Sequence, residues 1–274
     1  KTEDVEKRVR QALRKKQEHF VFHWRGGGLN QEILRQLLEK CAGAAAERGK
    51  TVGCSLNRAQ AVIQLDFSDD VKYEKVDFDF ARFGYDLVIV NTGKGHADLS
   101  RVYSEIPEEM KAVAKVLGGE WLADCSYEQL LDHYAEVQKT VGNDRAILRA
   151  LHYFEENARV EAAAQAVKEN NGKKLLQILD ESGRSSFEFL QNCYPIGDYK
   201  EQQIPLALAL TGHYLKEIGD GCCRVHGGGF AGVIMSIIPK AHTKEYVEYI
   251  ARFVGKSNVY PMQIRAAGAI HVEA

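Results

Sequence analysis

Three consecutive glycines, Gly227, Gly228 and Gly229, interrupt a strand pattern in the segment R-V-H-G-G-G-F-A-G-V-I-M-S-I-I-P-K, Arg224 to Lys240. Without a Cβ, this backbone can take positive φ and approach a ligand or another segment closely. The flanks read as strands. Cys222 to Val225 enter the glycines, and Val233 to Ile238 leave them with the β-branched, apolar residues of a buried strand. A chain that carries this segment must place two strands around a rigid turn of backbone. The residues alone fit two readings, a shelf under a ligand or a tight hairpin turn that holds nothing.

The rest of the chain supplies the context. From Ala61 the apolar residues alternate, and Ala61 to Phe67, Tyr73 to Phe78 and Asp86 to Val90 read as three strands of a β-meander, with Ser68, Asp69 and Asp70 as the first turn. After Gly93 the period becomes helical, over Asp98 to Leu117, Tyr127 to Val141, Asp144 to Asn170, Lys173 to Asn192 and Pro205 to Ile218. Ser126 and Asn143 are N-cap signals, Gly118 and Gly119 a C-cap, and Pro205 suits a first helical turn. The two strands of the glycine segment follow, then a helix over Lys244 to Val254 and a last strand over Tyr260 to Val272. Strands, then helices, then a βαβ-like end is α+β architecture. Before Ala61, residues Asp4 to His19 read as an amphipathic helix, His19 to Trp24 as a strand ending at Gly26, Gly27 and Gly28, and Gln31 to Ala46 as a helix capped by Asn30. That glycine turn is read as a plain turn, because no Gly-Lys-Ser/Thr follows it.

Composition excludes several classes. A chain of 274 residues allows one large domain or two smaller ones at about 100 to 200 residues each. A formal net charge of −2 gives no reason to expect nucleic acid or an anionic membrane as the main partner. No apolar run reaches the roughly 18 to 20 residues that cross a bilayer, and the first residues lack a signal-peptide core, so the expected location is cytoplasmic. The six cysteines form no C-x-x-C pair and are expected to be free thiols, with Cys222 and Cys223 on opposite faces of a strand.

The motifs themselves resemble the galactokinase family of GHMP small-molecule kinases, in its bacterial branch. V-H-G-G-G-F-A-G, Val225 to Gly232, followed by the strand Val233 to Ile238, is similar to the family's C-terminal glycine motif. The likeness extends to D-F-D-F-A at Asp77 to Ala81, V-N-T-G-K-G-H-A-D-L at Val90 to Leu99, Tyr103 with I-P-E-E-M-K-A-V at Ile106 to Val113, E-N-A-R-V at Glu156 to Val160, and E-S-G-R-S-S at Glu181 to Ser186. These cover residues 60 to 274 in family order. The resemblance implies a GHMP-kinase C-terminal-like domain over 58 to 274, with a β-meander, helices and a ferredoxin-like βαβ end, after an atypical region over 1 to 57. It also implies ATP-dependent phosphorylation of galactose to galactose 1-phosphate, with magnesium as the other cofactor.

In phosphoryl transfer the protein mostly positions reactants and neutralises charge. The family does so with a serine-rich phosphate loop, an Asp and Arg pair at the sugar hydroxyl, and the C-terminal glycine loop beneath them. Here Gly227, Gly228, Gly229, Phe230, Ala231 and Gly232 match the third part. The family's early sugar motif has no counterpart in Lys1 to Gln60, and Asn30 and Gln31 stand where phosphate-loop serines are expected. G-C-S-L-N-R, Gly53 to Arg58, replaces the segment that carries the catalytic aspartate, so no catalytic residue is assigned. The resemblance carries over one sugar contact, the Tyr103 hydroxyl, the other reading of Tyr103 being a partly buried ring that packs on its own helix. His96 and Asp98 are candidates for orienting polar groups, with a helix cap as the other role of Asp98, and His226 reads as a structural hydrogen-bonder. Two functions therefore stand: a galactokinase-like sugar kinase, or a non-catalytic truncated or diverged homologue that senses sugar or binds a protein. Expected partners are galactose and either a second copy of the chain or a separate N-terminal half.

Overall fold

The computed structural model describes residues 61–66, 72–93 and 99–262, all inside one compact unit, Ala59–Ala266. Strands β1 (Ala61–Asp66) and β2 (Lys72–Asp77) form an antiparallel hairpin in register Ala61 to Asp77. Strand β3 (Tyr85–Asn91) belongs to another sheet. The expected meander therefore stops after two strands. Between β2 and β3, Asp79 caps a 3-10 turn over Phe80–Phe83 by accepting from the Ala81 amide at 2.9 Å, and Gly84 closes it at φ 83°. That turn redirects the chain, and Val88 and Val90 then find their partners far away in sequence.

Helix α1 (Ser100–Val116) follows β3 and ends at Leu117, with Gly118 beyond it at φ 87°. The Gly119 amide reaches back to the Ala114 carbonyl at 2.9 Å, the helix stop that its sequence signalled. Ser126 and Gln129 form a reciprocal capping box on α2 (Tyr127–Asp132). The single helix expected over Tyr127 to Val141 is two helices, because His133 interrupts it and α3 runs over Tyr134–Val141. The His133 ring bonds the Gln129 carbonyl at 3.0 Å, a local side-chain alternative to the helical ladder. Asn143 caps α4 (Asp144–Lys168) as expected. Helix α5 (Gly172–Ser185) ends earlier than its periodicity suggests, passing into a single π turn, Ser186–Leu190.

Helix α6 (Gln203–Ile218) has Pro205 in its first turn and leads to β4 (Cys222–His226) and β5 (Val233–Pro239). Helix α7 (Thr243–Val254) and β6 (Val259–Met262) complete the described chain. The four-stranded sheet runs β4-β5-β3-β6, with every neighbouring pair antiparallel. Strands β5 and β6 therefore flank β3, and β5-α7-β6 is a split βαβ unit, so the α+β class with a ferredoxin-like end holds. One face of the sheet packs Val88, Val90, Val225, Ile234 and Ile238 against α6 and α7. In that core the Tyr246 hydroxyl meets Thr211 at 2.8 Å and Ser236 at 2.9 Å, so no group of this buried trio is left unpaired.

Cys125, Cys193, Cys222 and Cys223 are free. Cys222 packs with Tyr85, Leu176 and Ile237 while Cys223 packs on the core beneath α6 and α7, so the two face opposite ways. Burial pushes the Cys193 and Cys223 thiols up to about 12, which leaves them unreactive near neutral pH. Among the described residues no helix is long and apolar enough to cross a membrane. The readings made for residues before Ala61, for the turn at Ser68 to Asp70, for His96 and Asp98, and for the strand beyond Met262 lie outside the described residues.

Candidate functional site

The glycine segment is the loop between β4 and β5, closed by the His226 to Val233 pair. Its conformation is left-handed at four positions: Gly227 (φ 77°), Gly229 (φ 80°), Phe230 (φ 61°) and Gly232 (φ 94°). The three consecutive glycines serve different needs. At Gly227 nothing lies within 4 Å of where a Cβ would stand, so only the positive φ requires glycine. At Gly228 a Cβ would come within 2.8 Å of the Tyr103 ring. At Gly229 it would overlap the main-chain oxygen of Asn192 and lie 2.7 Å from that residue's side-chain nitrogen, in addition to the positive φ.

Tyr103 and Asn192 grip this loop from two directions. Tyr103, half-buried on the first turn of α1, donates its hydroxyl proton to the Gly229 carbonyl at 2.7 Å. Its ring meets Phe230 edge-on at 5.4 Å, and Phe230 and Ala231 are buried with Leu99. The Asn192 carbonyl accepts from the Phe230 amide at 2.5 Å, and its carboxamide donates to the Gly228 carbonyl at 3.3 Å. The far end of the loop is tied to the end of β3, where the Thr92 amide and hydroxyl both donate to the Gly232 carbonyl, at 2.9 and 2.8 Å. The glycine loop and Tyr103, assigned separately from sequence, are thus in direct contact. His226 is exposed, and its ring makes no hydrogen bond among the described residues, so the structural role expected for it is not seen there.

Two polar clusters hold the elements that carry this site. In the first, Arg149 of α4 is 1% exposed and spans two elements. It donates to Glu109 of α1 at 2.8 Å and to the Leu190 carbonyl at 3.1 Å. Glu109 also binds Arg145, which reaches Glu105 at 2.9 Å, and accepts from Asn143 at 3.0 Å. Burial pulls the Arg149 guanidinium below its ordinary value, against the pull of Glu109.

The second cluster joins three of the sequence motifs. Ser182 donates to Glu156 and accepts from Arg224 at 2.6 Å, while Arg159 donates to Glu156 at 2.7 Å and to Glu155 at 3.1 Å. Gly183 lets α5 lie against β4, since a Cβ there would meet that of Arg224 at 2.8 Å. E-N-A-R-V, E-S-G-R-S-S and the Arg224 that precedes the glycines are therefore one structural junction. Sequence reasoning missed Asn192, Glu109 and Arg149 as individual residues. Arg149 carried a signal, because it stands on the apolar stripe of α4 with Ala146 and Ala150.

This junction makes stability depend on acid. Burial pulls His152, which bonds Ser185 at 2.9 Å, below the ordinary 6.5, and Arg159 and Arg224 add to that against the opposing pull of Glu156. Burial pushes the Glu156 carboxyl up, but Ser182, Arg159 and Arg224 together outweigh it and hold the group below the ordinary 4.5. Both groups bind a proton more readily in the unfolded chain. The stability they contribute is complete above about pH 6.5 for His152 and about 4.5 for Glu156, and is lost as pH falls through each folded value. The thermal midpoint is therefore expected to fall from about pH 7 to about pH 5, and His152→Gln to flatten that fall. A midpoint that stays level across this range in scanning fluorimetry would contradict the assignment.

Comparison with models of protein families gives no match. Individual proteins do match. The galactokinase of Glaesserella parasuis serovar 5 is 29% identical over 174 residues, 64% of this chain and 41% of that protein. The galactokinase of Actinobacillus pleuropneumoniae serotype 5b is 29% identical over 171 residues, 62% of this chain and 41% of that protein. The chain spans about two fifths of the length of these curated relatives. Among solved structures, Lactococcus lactis galactokinase complexed with galactose superimposes with a TM-score of 0.61 at 20% identity, over 85% of this chain and 60% of that one. The sequence matches and the shared fold together make this chain a relative of the galactokinases, the GHMP kinases whose C-terminal part it matches.

Proposed function

We propose that this chain serves galactokinase chemistry, the ATP-dependent phosphorylation of galactose at its anomeric hydroxyl, and that the described unit is the floor of the sugar site. The contact between Tyr103 and the Gly229 carbonyl carries this reading. It joins the tyrosine that the resemblance places at a sugar hydroxyl to the glycine loop that the resemblance places beneath the site. On this reading residues 58 to 274 are the galactokinase-like domain, residues 1 to 57 a separate region, and the protein works in the cytoplasm.

ATP and magnesium require free amides around the phosphates and carboxylates around the metal. In the glycine loop the Phe230 amide is taken by Asn192, and Glu156 is taken by Ser182, Arg159 and Arg224. Among the described residues no group of three or more His, Cys, Asp or Glu side chains is placed to hold a metal ion. The Phe230 amide and the Glu156 carboxylate are thus committed within the protein and are not assigned to the triphosphate or the magnesium.

Galactose-dependent ADP formation by the full chain with ATP and magnesium tests the reading, and its absence at high protein concentration would overturn the kinase assignment. Galactose binding without turnover would assign the chain to sugar sensing instead. Tyr103→Phe removes the hydroxyl and is expected to weaken galactose about tenfold by calorimetry, the worth of one hydrogen bond in a partly enclosed site. An unchanged affinity would remove Tyr103 from the sugar site.

A further inference from the structure

We propose that Asn192 is the positioning residue of the site: it sets the backbone of the glycine loop and thereby aims the Gly229 carbonyl at Tyr103. The sugar part of this inference rests on the function proposed above. Asn192 is 3% exposed and uses both its main chain and its side chain on the loop, accepting from the Phe230 amide and donating to the Gly228 carbonyl. Between those two contacts lies Gly229, whose Cβ would overlap Asn192 itself. Three successive loop residues are thus shaped against one residue, through its main chain and its side chain.

Phe230 shows why such a grip is needed. It is an aromatic residue at φ 61°, a left-handed conformation that side chains other than glycine and asparagine rarely adopt, and it persists only where the surroundings impose it. Asn192 reaches its place through the π turn Ser186–Leu190 and through Gln191 at φ 55°, a second unusual backbone step. Arg149 fixes the end of that turn through the Leu190 carbonyl, and Glu109 fixes Arg149. Glu109 and Tyr103 stand on the same helix, α1. The contacts therefore close a ring: Glu109, Arg149, Leu190, Asn192, the glycine loop, Tyr103 and back along α1. Asn192 and Tyr103 are the members that touch the loop, and among the described residues the buried Asn192 Oδ1 has no hydrogen-bond partner. That orphaned oxygen marks a side chain held for its donor, since no acceptor role offsets its burial.

Asn192→Asp tests this on the full chain. An ionised carboxylate cannot donate to the Gly228 carbonyl, whereas the protonated acid has nearly the shape of the amide and can. Amide hydrogen exchange, compared with the wild type at the same pH and corrected for intrinsic rates, is expected to rise about tenfold at Gly229 and Phe230 near pH 8, the loss of about one hydrogen bond. Near pH 5 the difference is expected to shrink as the acid regains its proton. Asn192→Ala, which cannot regain a donor, is expected to stay exposed to exchange at both values. The surrounding cations, Arg149 and Arg224, keep their charge throughout, the Cys193 thiol stays protonated, and His152, Glu156 and His226 titrate in all three proteins and cancel.

Galactose affinity is expected to fall about tenfold for Asn192→Asp near pH 8 and to recover with the protection near pH 5. Exchange at Gly229 and Phe230 that matches the wild type in both variants would overturn the proposal, as would altered exchange with unaltered galactose affinity. If Asn192→Asp does not fold, the exchange and affinity of Asn192→Ala decide on the same terms. If the wild type binds no galactose, the function proposed above fails, and the exchange data still judge the grip of Asn192 on the loop.

Discussion

Glu109→Ala is expected to lower stability by about 3 to 5 kcal/mol, the cost of leaving a buried charge without its partner. The charge is Arg149, whose guanidinium is 1% exposed and pairs with Glu109 at 2.8 Å. After the substitution only the Leu190 carbonyl remains as its acceptor among the contacts described. The neighbouring change Glu105→Ala makes the contrast, because Glu105 is 27% exposed in its side chain and Arg145 keeps Glu109. Its expected cost is under about 1 kcal/mol, the range of partly exposed ion pairs. Denaturant unfolding of both variants measures the difference. Equal costs, or a loss below about 1 kcal/mol for Glu109→Ala, would mean that Arg149 finds other partners or water.

Gly229→Ala is expected to cost about 2 to 5 kcal/mol, combining about 1 to 2 for a left-handed alanine with about 1 to 3 for overpacking. The overpacking arises because the new methyl group would fall on Asn192, whose main-chain oxygen cannot move without releasing the Phe230 amide. Gly227→Ala isolates the first contribution, since Gly227 has a similar φ and open space around it, and its expected cost is about 1 to 2 kcal/mol. Unfolding midpoints that coincide for the two variants would show that the loop yields around Asn192 and is not held by it. Gly229→Ala is also expected to lose galactose binding, because the Gly229 carbonyl can no longer meet Tyr103.

These expectations separate what was legible in the sequence from what was not. Local signals were readable because they act within a few residues: Ser126 with Gln129, Asn143 before α4, and Gly118 after α1 all cap as their residue types require. The strands around the glycines were readable because a buried strand needs β-branched residues wherever it lies. Partner choice was less legible. Alternation in Tyr85–Asn91 marks a strand but does not say that it leaves the β1-β2 hairpin to sit between β5 and β6, a choice made by contacts about 150 and about 170 residues away in the chain. The end of α5 was hidden for a similar reason. Its apolar spacing continues past Ser185, and no glycine or proline marks the π turn, which is stabilised from outside by Arg149.

The site was legible as residue types and illegible as geometry. Tyr103 and the glycine loop both stood out by resemblance to family motifs, yet the sequence could not say that they touch. Nor did it reveal that Gly228 makes room for the Tyr103 ring while Gly229 makes room for Asn192. Asn192 lies at the end of a helical pattern and carries no motif of its own, so only the fold brings it under the loop.

The central claim is that this loop and Tyr103 form the floor of a galactose site. Titration calorimetry of the full chain with galactose, alone and with a non-hydrolysable ATP analogue and magnesium, tests it most directly. Saturable galactose binding, weakened about tenfold in Tyr103→Phe, is the expected result. The absence of any galactose binding heat in the folded wild-type protein, under either condition, would contradict it.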